Sequence, residues 1–237
     1  MADQIEEAIV SGLLKAGEKL PPERELVGRF DVSRRTLREA LRIVEQKGLI
    51  EIKVGSRGGA FVKDLTTAPI SESLALLIRS KKISLRELAE FRLDIESLVA
   101  GRAARRATSE DVDSLKDLLV EGESLLASNR FNWRAFMEVD QRLHLTLARI
   151  ARNSIHEFIL KTIHENINRY YESYLPKDKK VWKQSYLEMR PLVKAVEDGD
   201  VKKAFSLAQE HVKRGDRLME GVVTKQTHRD SLDQDRP

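Results

Sequence analysis

A chain of 237 residues with 41% hydrophobic, 34% charged and only 5% aromatic residues has room for two domains and the make-up of a charged, helix-rich globular protein, which excludes a disordered chain. It contains no cysteine, so a disulfide framework, a thiolate metal site and a cysteine nucleophile are all excluded. The 42 Lys and Arg against 38 Asp and Glu leave a formal charge of +4, which permits nucleic-acid contact but makes the placement of the cations decisive.

The N-terminus opens directly in an amphipathic pattern, without a basic or an apolar leader region, and no later apolar run approaches ~18 residues. A soluble, unexported, cytoplasmic protein with no membrane contact is the expectation. Ile5, Ala8, Ile9 and Leu13 recur at helical spacing, and the stretch from Gly12 to Gly17 ends that first helix. A second, short helix opens at Pro22, with Glu23 and Glu25 at its positive end and Leu26 and Phe30 on its buried side. Ser33 is a natural N-cap for a third helix, with apolar stripe Leu37, Ala40, Leu41 and Val44 and a stop at Gly48. At ~100° per residue Arg35, Arg38 and Arg42 fall opposite that stripe, with Arg34 at its edge.

After Gly48 the period becomes alternating, with Ile50, Ile52 and Val54 on one side, then a glycine-rich tip, Gly55-Ser56-Arg57-Gly58-Gly59, and a second short run, Ala60 to Lys63. Two short helices at a tight turn followed by a hairpin is the order of a winged helix-turn-helix, whose second helix enters the major groove. An outward arginine stripe alone reads as a solvated face; with the cap and the glycine hairpin it reads as a DNA contact.

The runs Leu20-Pro21-Pro22-Glu23-Arg24-Glu25-Leu26, Val32-Ser33-Arg34-Arg35-Thr36-Leu37-Arg38-Glu39-Ala40-Leu41 and Gly55 to Val62 resemble the GntR family of bacterial regulators. That resemblance implies that Arg24, Arg34 and Arg38 contact double-stranded operator DNA, that Ser33, Arg35 and Thr36 add accessory contacts, and that the wing tip at Arg57, Gly58 and Gly59 reaches the minor groove. Arginine on guanine edges would read sequence, and the remaining arginines would hold phosphates.

The expected division is a winged helix-turn-helix over 1–64, a linker over 65–70, an all-helical domain over 71–223 and a disordered tail over 224–237. Helices are predicted over 71–79, 85–106, 110–127, 133–152, 155–175, 185–197 and 201–222, with short connections that make an antiparallel bundle. The fold class is therefore mainly α, a winged helix-turn-helix with a small β-hairpin followed by an antiparallel all-α bundle. Polar residues interrupt the buried stripes at telling places. Asp140 and His144 lie four apart on the face of Phe136, Val139, Leu143, Leu147 and Ala148, a spacing that aims a carboxylate and an imidazole at one point. His211 falls on the inner face of the last helix, where a satisfied core histidine is the simpler reading; Arg92 and Glu96 interrupt the face of Leu88 and Val99, either as an i,i+4 ion pair or as cavity lining. His156, His164, Trp133, Trp182, Tyr170, Tyr171 and Tyr174 form no defined constellation and are expected to pack in the core or on the surface.

The segments Arg92 to Glu96, Asp140 to His144 and Glu197 to His211 resemble the FadR-like branch, with its FCD-type effector domain. The resemblance implies a homodimer on a palindromic operator, a small organic acid as effector, Arg92 as its carboxylate contact, and a divalent metal (Zn or Ni) on Asp140, His144 and His211. Where the pattern has a further histidine, this chain has Met189, a weak thioether ligand, which leaves either a three-ligand site or a pocket without metal. The alternatives are a sensor of the metal ion itself or of an acyl-CoA-like ligand, and a metal-dependent enzyme with an accessory DNA-binding domain. No HExxH, nucleophile elbow or phosphate loop supports the enzyme, so none is expected.

Overall fold

The computed structural model describes residues 1–55, 58–174 and 177–234, with side chains over 1–55, 58–169 and 177–217. It divides into two compact units, Met1–Pro69 and Ile70–Pro237.

In the first unit α1 (Ala2–Val10), α2 (Glu23–Phe30) and α3 (Arg34–Gln46) precede the antiparallel pair β1 (Ile50–Lys53) and β2 (Gly59–Val62). Ser33 caps α3 as expected, its side chain accepting from the Thr36 amide at 3.1 Å, and Gly48, at φ +75°, ends the chain's run past that helix. Pro22 sits one residue earlier than a first-turn proline, as the N-cap of α2. Leu37, Leu41 and Val44 meet Ile5, Ile9, Leu26, Leu49 and Ile50 in one apolar core. The predicted hairpin side of Ile50, Ile52 and Val54 is buried only at its base, and Val54 is 95% exposed, because nothing in this unit packs over the tip. β2 also pairs on its other edge: the Leu20 amide donates to the Ala60 carbonyl at 2.8 Å and the Val62 amide to the Glu18 carbonyl at 2.8 Å.

The second unit is built from α4 (Ala68–Arg79), α5 (Leu85–Arg106), α6 (Ser109–Ala127), α7 (Trp133–Ile150), α8 (Ser154–Tyr174), α9 (Lys179–Glu197) and α10 (Val201–Gln234). α4 starts inside the expected linker, since Pro69 in a first turn lacks only an amide that has no helical partner there. α9 starts six residues before the predicted 185, capped by Asp178, whose side chain accepts from the Lys180 amide at 2.9 Å. α10 continues to Gln234, through most of the stretch expected to be a tail; residues 235–237 lie outside those described. Val99, Ala103, Leu115, Leu143, Leu147, Leu192, Val196 and Ala204 form the main core, shared by α5, α6, α7, α9 and α10. Small residues on α5 let α10 approach closely: a Cβ added at Gly101 would lie 3.3 Å from the Val201 carbonyl oxygen. Among the described residues no helix is long and apolar enough to cross a membrane.

Thr108 and Asp111 form a reciprocal capping box at the start of α6. Thr108→Ala is expected to cost about 1 kcal/mol of unfolding free energy, measured by urea denaturation, because the residue is exposed and its hydroxyl satisfies one amide of the first turn.

Candidate functional site

In the N-terminal unit Arg24 on α2, Ser33 at the cap of α3, and Arg34, Arg35, Thr36 and Arg38 on α3 are all exposed. Two of the arginines are held by carboxylates. Arg38 Nε donates to both oxygens of Glu23 at 3.2 and 3.1 Å, and Arg35 Nε donates to Glu39 at 3.3 Å. The Glu23 carboxylate, through its hydrogen bond and its charge, holds the Arg38 pKa above the ordinary arginine value. At the wing Gly58 donates its amide to the Gly55 carbonyl at 2.9 Å, and a Cβ at Gly58 would stand 2.2 Å from the Lys53 carbonyl oxygen. Only glycine allows the two strands to close that way. Gly59 has φ +139°, and a Cβ there would meet Lys19. The expectation at Arg57 falls outside the described residues.

In the C-terminal unit a cavity of about 350 Å³ opens between side chains of α5, α7, α9 and α10, its wall including Arg92, Asp140, Ser185, Glu188, His211 and Arg214. The common face of α7 carries Asp140 and His144 into this region, as the i,i+4 spacing predicts. His144 Nε2 lies 3.8 Å from Asp140 Oδ2, and the His144 and His211 rings stack with centroids 5.2 Å apart. One ligand atom from each of Asp140, His144 and His211 falls within 4.8 Å of the others, so the structure brings the three residues together. Ser185 donates to Asp140 Oδ1 at 3.5 Å, and His211 Nδ1 donates to Glu188 Oε2 at 3.2 Å, leaving the opposite ring nitrogen of His211 as its lone-pair donor. Glu188 also pairs with Arg214.

His144 Nε2 is buried and has no hydrogen-bond partner, an orphan nitrogen beside a carboxylate and a second imidazole; Glu96 Oε2 and His164 Nε2 are buried without one as well. Such a donor set suits a divalent transition ion, with the cavity supplying the open side. Met189, 2% exposed in the main core with Leu192 and Val193, offers only a thioether, a weak ligand for such an ion. The residues present therefore fit a three-ligand site, not a four-ligand one.

Arg92 lines the cavity and is also the i,i+4 partner of Glu96, Nε to Oε1 at 2.5 Å, whereas Glu96 is buried behind it and is not on the cavity wall. Glu96 is a hub that the sequence reading left undeveloped. His144 Nδ1 lies 2.6 Å from its Oε2 and His164 Nε2 3.2 Å from its Oε1, and the His144 and His164 rings are 5.0 Å apart. Burial pushes the Glu96 carboxyl upward, but Arg92, His144 and His164 outweigh it and hold the group well below the usual carboxylate range. Burial also opposes charge on both imidazoles. Beside Glu96, with Asp140 adding, His144 is nevertheless raised, whereas burial prevails at His164 and lowers it.

His164 is thus no ordinary packing histidine. Its signal in the sequence was its place on the buried stripe of α8 with Leu160, Ile163 and Ile167, but the partner that gives it meaning is on α5. Trp182, also expected only to pack, lines the cavity as well as contacting Phe136 edge-on. His156 is exposed to a moderate degree and stays outside this cluster, and the side chains of Tyr170, Tyr171 and Tyr174 lie outside the described residues.

Comparison with known proteins places both units. Residues 1–62 match the family described as bacterial regulatory proteins, gntR family, and residues 87–214 match the FCD domain. The HTH-type transcriptional regulator LutR of Bacillus subtilis is 31% identical over 174 residues, covering 73% of this chain and 75% of LutR. The Uxu operon regulator of Haemophilus influenzae is 34% identical over 151 residues, 64% of this chain and 53% of that protein. The solved Streptococcus agalactiae GntR shares the fold, with a TM-score of 0.73 at 24% identity over 91% of this chain and 97% of that one. These relatives carry the names of regulators and not of enzymes. With each half matched to one of the two units into which the structure divides, the chain belongs to the GntR family of bacterial DNA-binding transcription regulators, in its FadR-like branch with an FCD domain.

Proposed function

We propose that this regulator responds to a small organic acid held in the cavity of its FCD domain, together with a divalent metal, Zn or Ni, on Asp140, His144 and His211. The observation that carries the reading is the buried, unpartnered His144 Nε2, set beside Asp140 and His211 at a cavity that Arg92 also lines. The metal would supply a Lewis-acid seat for the effector carboxylate. Arg92, on the cavity wall, presents a planar guanidinium of the kind that suits a carboxylate, and Ser185 and Glu188 orient Asp140 and His211 by hydrogen bonding. A cavity of about 350 Å³ with charged lining favours a small acid over an acyl-CoA-sized ligand.

On the DNA side the proposal is a homodimer on a palindromic operator in the cytoplasm, each copy presenting α3 to a major-groove half-site. Arg24, Arg34 and Arg38 would read bases or hold phosphates, Ser33, Arg35 and Thr36 would add backbone contacts, and Arg57, Gly58 and Gly59 would reach the minor groove. Acid and operator affinities would then change by one reciprocal coupling free energy. The test is elemental analysis of protein purified without chelator or affinity tag. Near-stoichiometric metal, lost in Asp140→Ala, is expected; no metal in either protein, or equal metal in both, overturns the metal reading.

A further inference from the structure

Resting on that metal reading, we infer that Glu96, backed by Arg92 and His164, is the positioning residue that fixes His144 in the tautomer whose bare Nε2 faces Asp140 and His211.

The cluster lies in the interior: Arg92 and Glu96 are each 4% exposed, His144 4% and His164 3%. His144 Nδ1 stands 2.6 Å from Glu96 Oε2. Glu96 Oε2 is itself buried with no aligned hydrogen bond, and His144 Nδ1 is the nitrogen that stands against it; two lone pairs repel at that distance in a buried site, so a proton or a cation is needed between nitrogen and oxygen. A divalent ion there is opposed by the Arg92 guanidinium, whose Nε is 2.5 Å from the other oxygen of the same carboxylate. The proton remains, on His144 Nδ1. A neutral imidazole with Nδ1 protonated has its lone pair on Nε2, a buried atom without a hydrogen-bond partner that lies on the side of Asp140, 3.8 Å from its Oδ2.

His164 completes the arrangement from α8. Its Nε2, which has no aligned hydrogen bond of its own, is 3.2 Å from Glu96 Oε1; Arg92 holds that oxygen, so Oε2 is left for His144. A metal-bound histidine whose other nitrogen is held by a carboxylate is oriented and made a better donor. The three groups Glu96, His144 and His164 could themselves be taken for a ligand trio, since single atoms of each lie within 4.8 Å of one another. Protons, and not a second ion, occupy that inner side.

The test uses the full chain with ring-labelled histidine and zinc as probe. In metal-free protein, at a pH that keeps the ring neutral, long-range proton–nitrogen correlation is expected to show His144 protonated on Nδ1. Calorimetric titration is expected to show one zinc per chain, no binding in Asp140→Ala, and affinity lowered by about 10- to 100-fold in Glu96→Gln. His164→Gln, which keeps a donor toward Glu96, is expected to restore most of what His164→Leu loses. Protonation of His144 on Nε2 in the wild-type chain overturns the inference even if Glu96→Gln does not fold. Unchanged zinc affinity in Glu96→Gln, with binding still abolished in Asp140→Ala, overturns the inference alone. Zinc binding unchanged in Asp140→Ala overturns the metal reading and the inference with it. A second zinc equivalent lost in His164→Ala overturns the inference by making the inner trio a metal site.

Discussion

Arg92→Met is expected to lower the unfolding free energy of the C-terminal unit by about 3–5 kcal/mol, because it leaves a carboxylate buried without its strongest counter-charge. Glu96 is 4% exposed and cannot recover water where it sits. The depressed Glu96 pKa gives the pH dependence of the same contribution. A carboxyl held lower in the folded than in the unfolded chain stabilises fully above the ordinary carboxylate range, and that stability is lost only as pH falls through the depressed folded value. The measurement is unusually clean, since the chain has two tryptophans, Trp133 and Trp182, and both lie in the C-terminal unit. Tryptophan fluorescence in urea therefore follows that unit without the other. The double variant Arg92→Met, Glu96→Leu is expected to recover part of the loss, because it removes the stranded charge. A loss under about 1 kcal/mol in Arg92→Met, the size seen for exposed pairs, would show that this pair does not have the buried role assigned to it.

Arg34→Ala is expected to weaken specific operator binding by about 5- to 150-fold with no change in tryptophan-monitored unfolding. Arg34 is exposed at the first turn of α3, next to the Ser33 cap, and makes no contribution to the apolar core beneath. Arg35→Ala should weaken specific and non-specific DNA alike and flatten the salt dependence, as loss of a phosphate contact does. Gel-shift titrations at two salt concentrations on operator and on unrelated duplex separate these outcomes. Unchanged operator affinity in Arg34→Ala would remove it from the reading surface.

How much of this was legible in the sequence depends on how far apart the cooperating residues lie. The Ser33 cap, the α3 stripe and the stop at Gly48 are local, set by neighbours within a few positions, and the structure has them as expected. Asp140 and His144 are likewise a local pair, and helical spacing alone put them on one face. His164 was not legible as a partner of Glu96, because a long-range contact between α5 and α8 leaves no period in either segment. The start of α9 was hidden by Lys179, Lys180 and Lys183, which interrupt the apolar pattern although Trp182 and Tyr186 already bury one face. The pairing of β2 with residues 18–20 was missed for the same reason as His164, since Lys19 lies on a short stretch with no strand pattern of its own.

The row of imidazoles His164, His144 and His211 is drawn from three helices, α8, α7 and α10, with the His144 and His211 rings stacked and the His164 ring tilted against His144. That constrains which length changes the domain can absorb. One residue inserted into α7 before Asp140 would turn the segment on one side of it by about 100° relative to the other, parting the site residues from the apolar stripe that seats them. Insertions and deletions in this lineage should therefore gather in connections such as 128–132 and 198–200, while the helices that carry the row keep their register residue for residue.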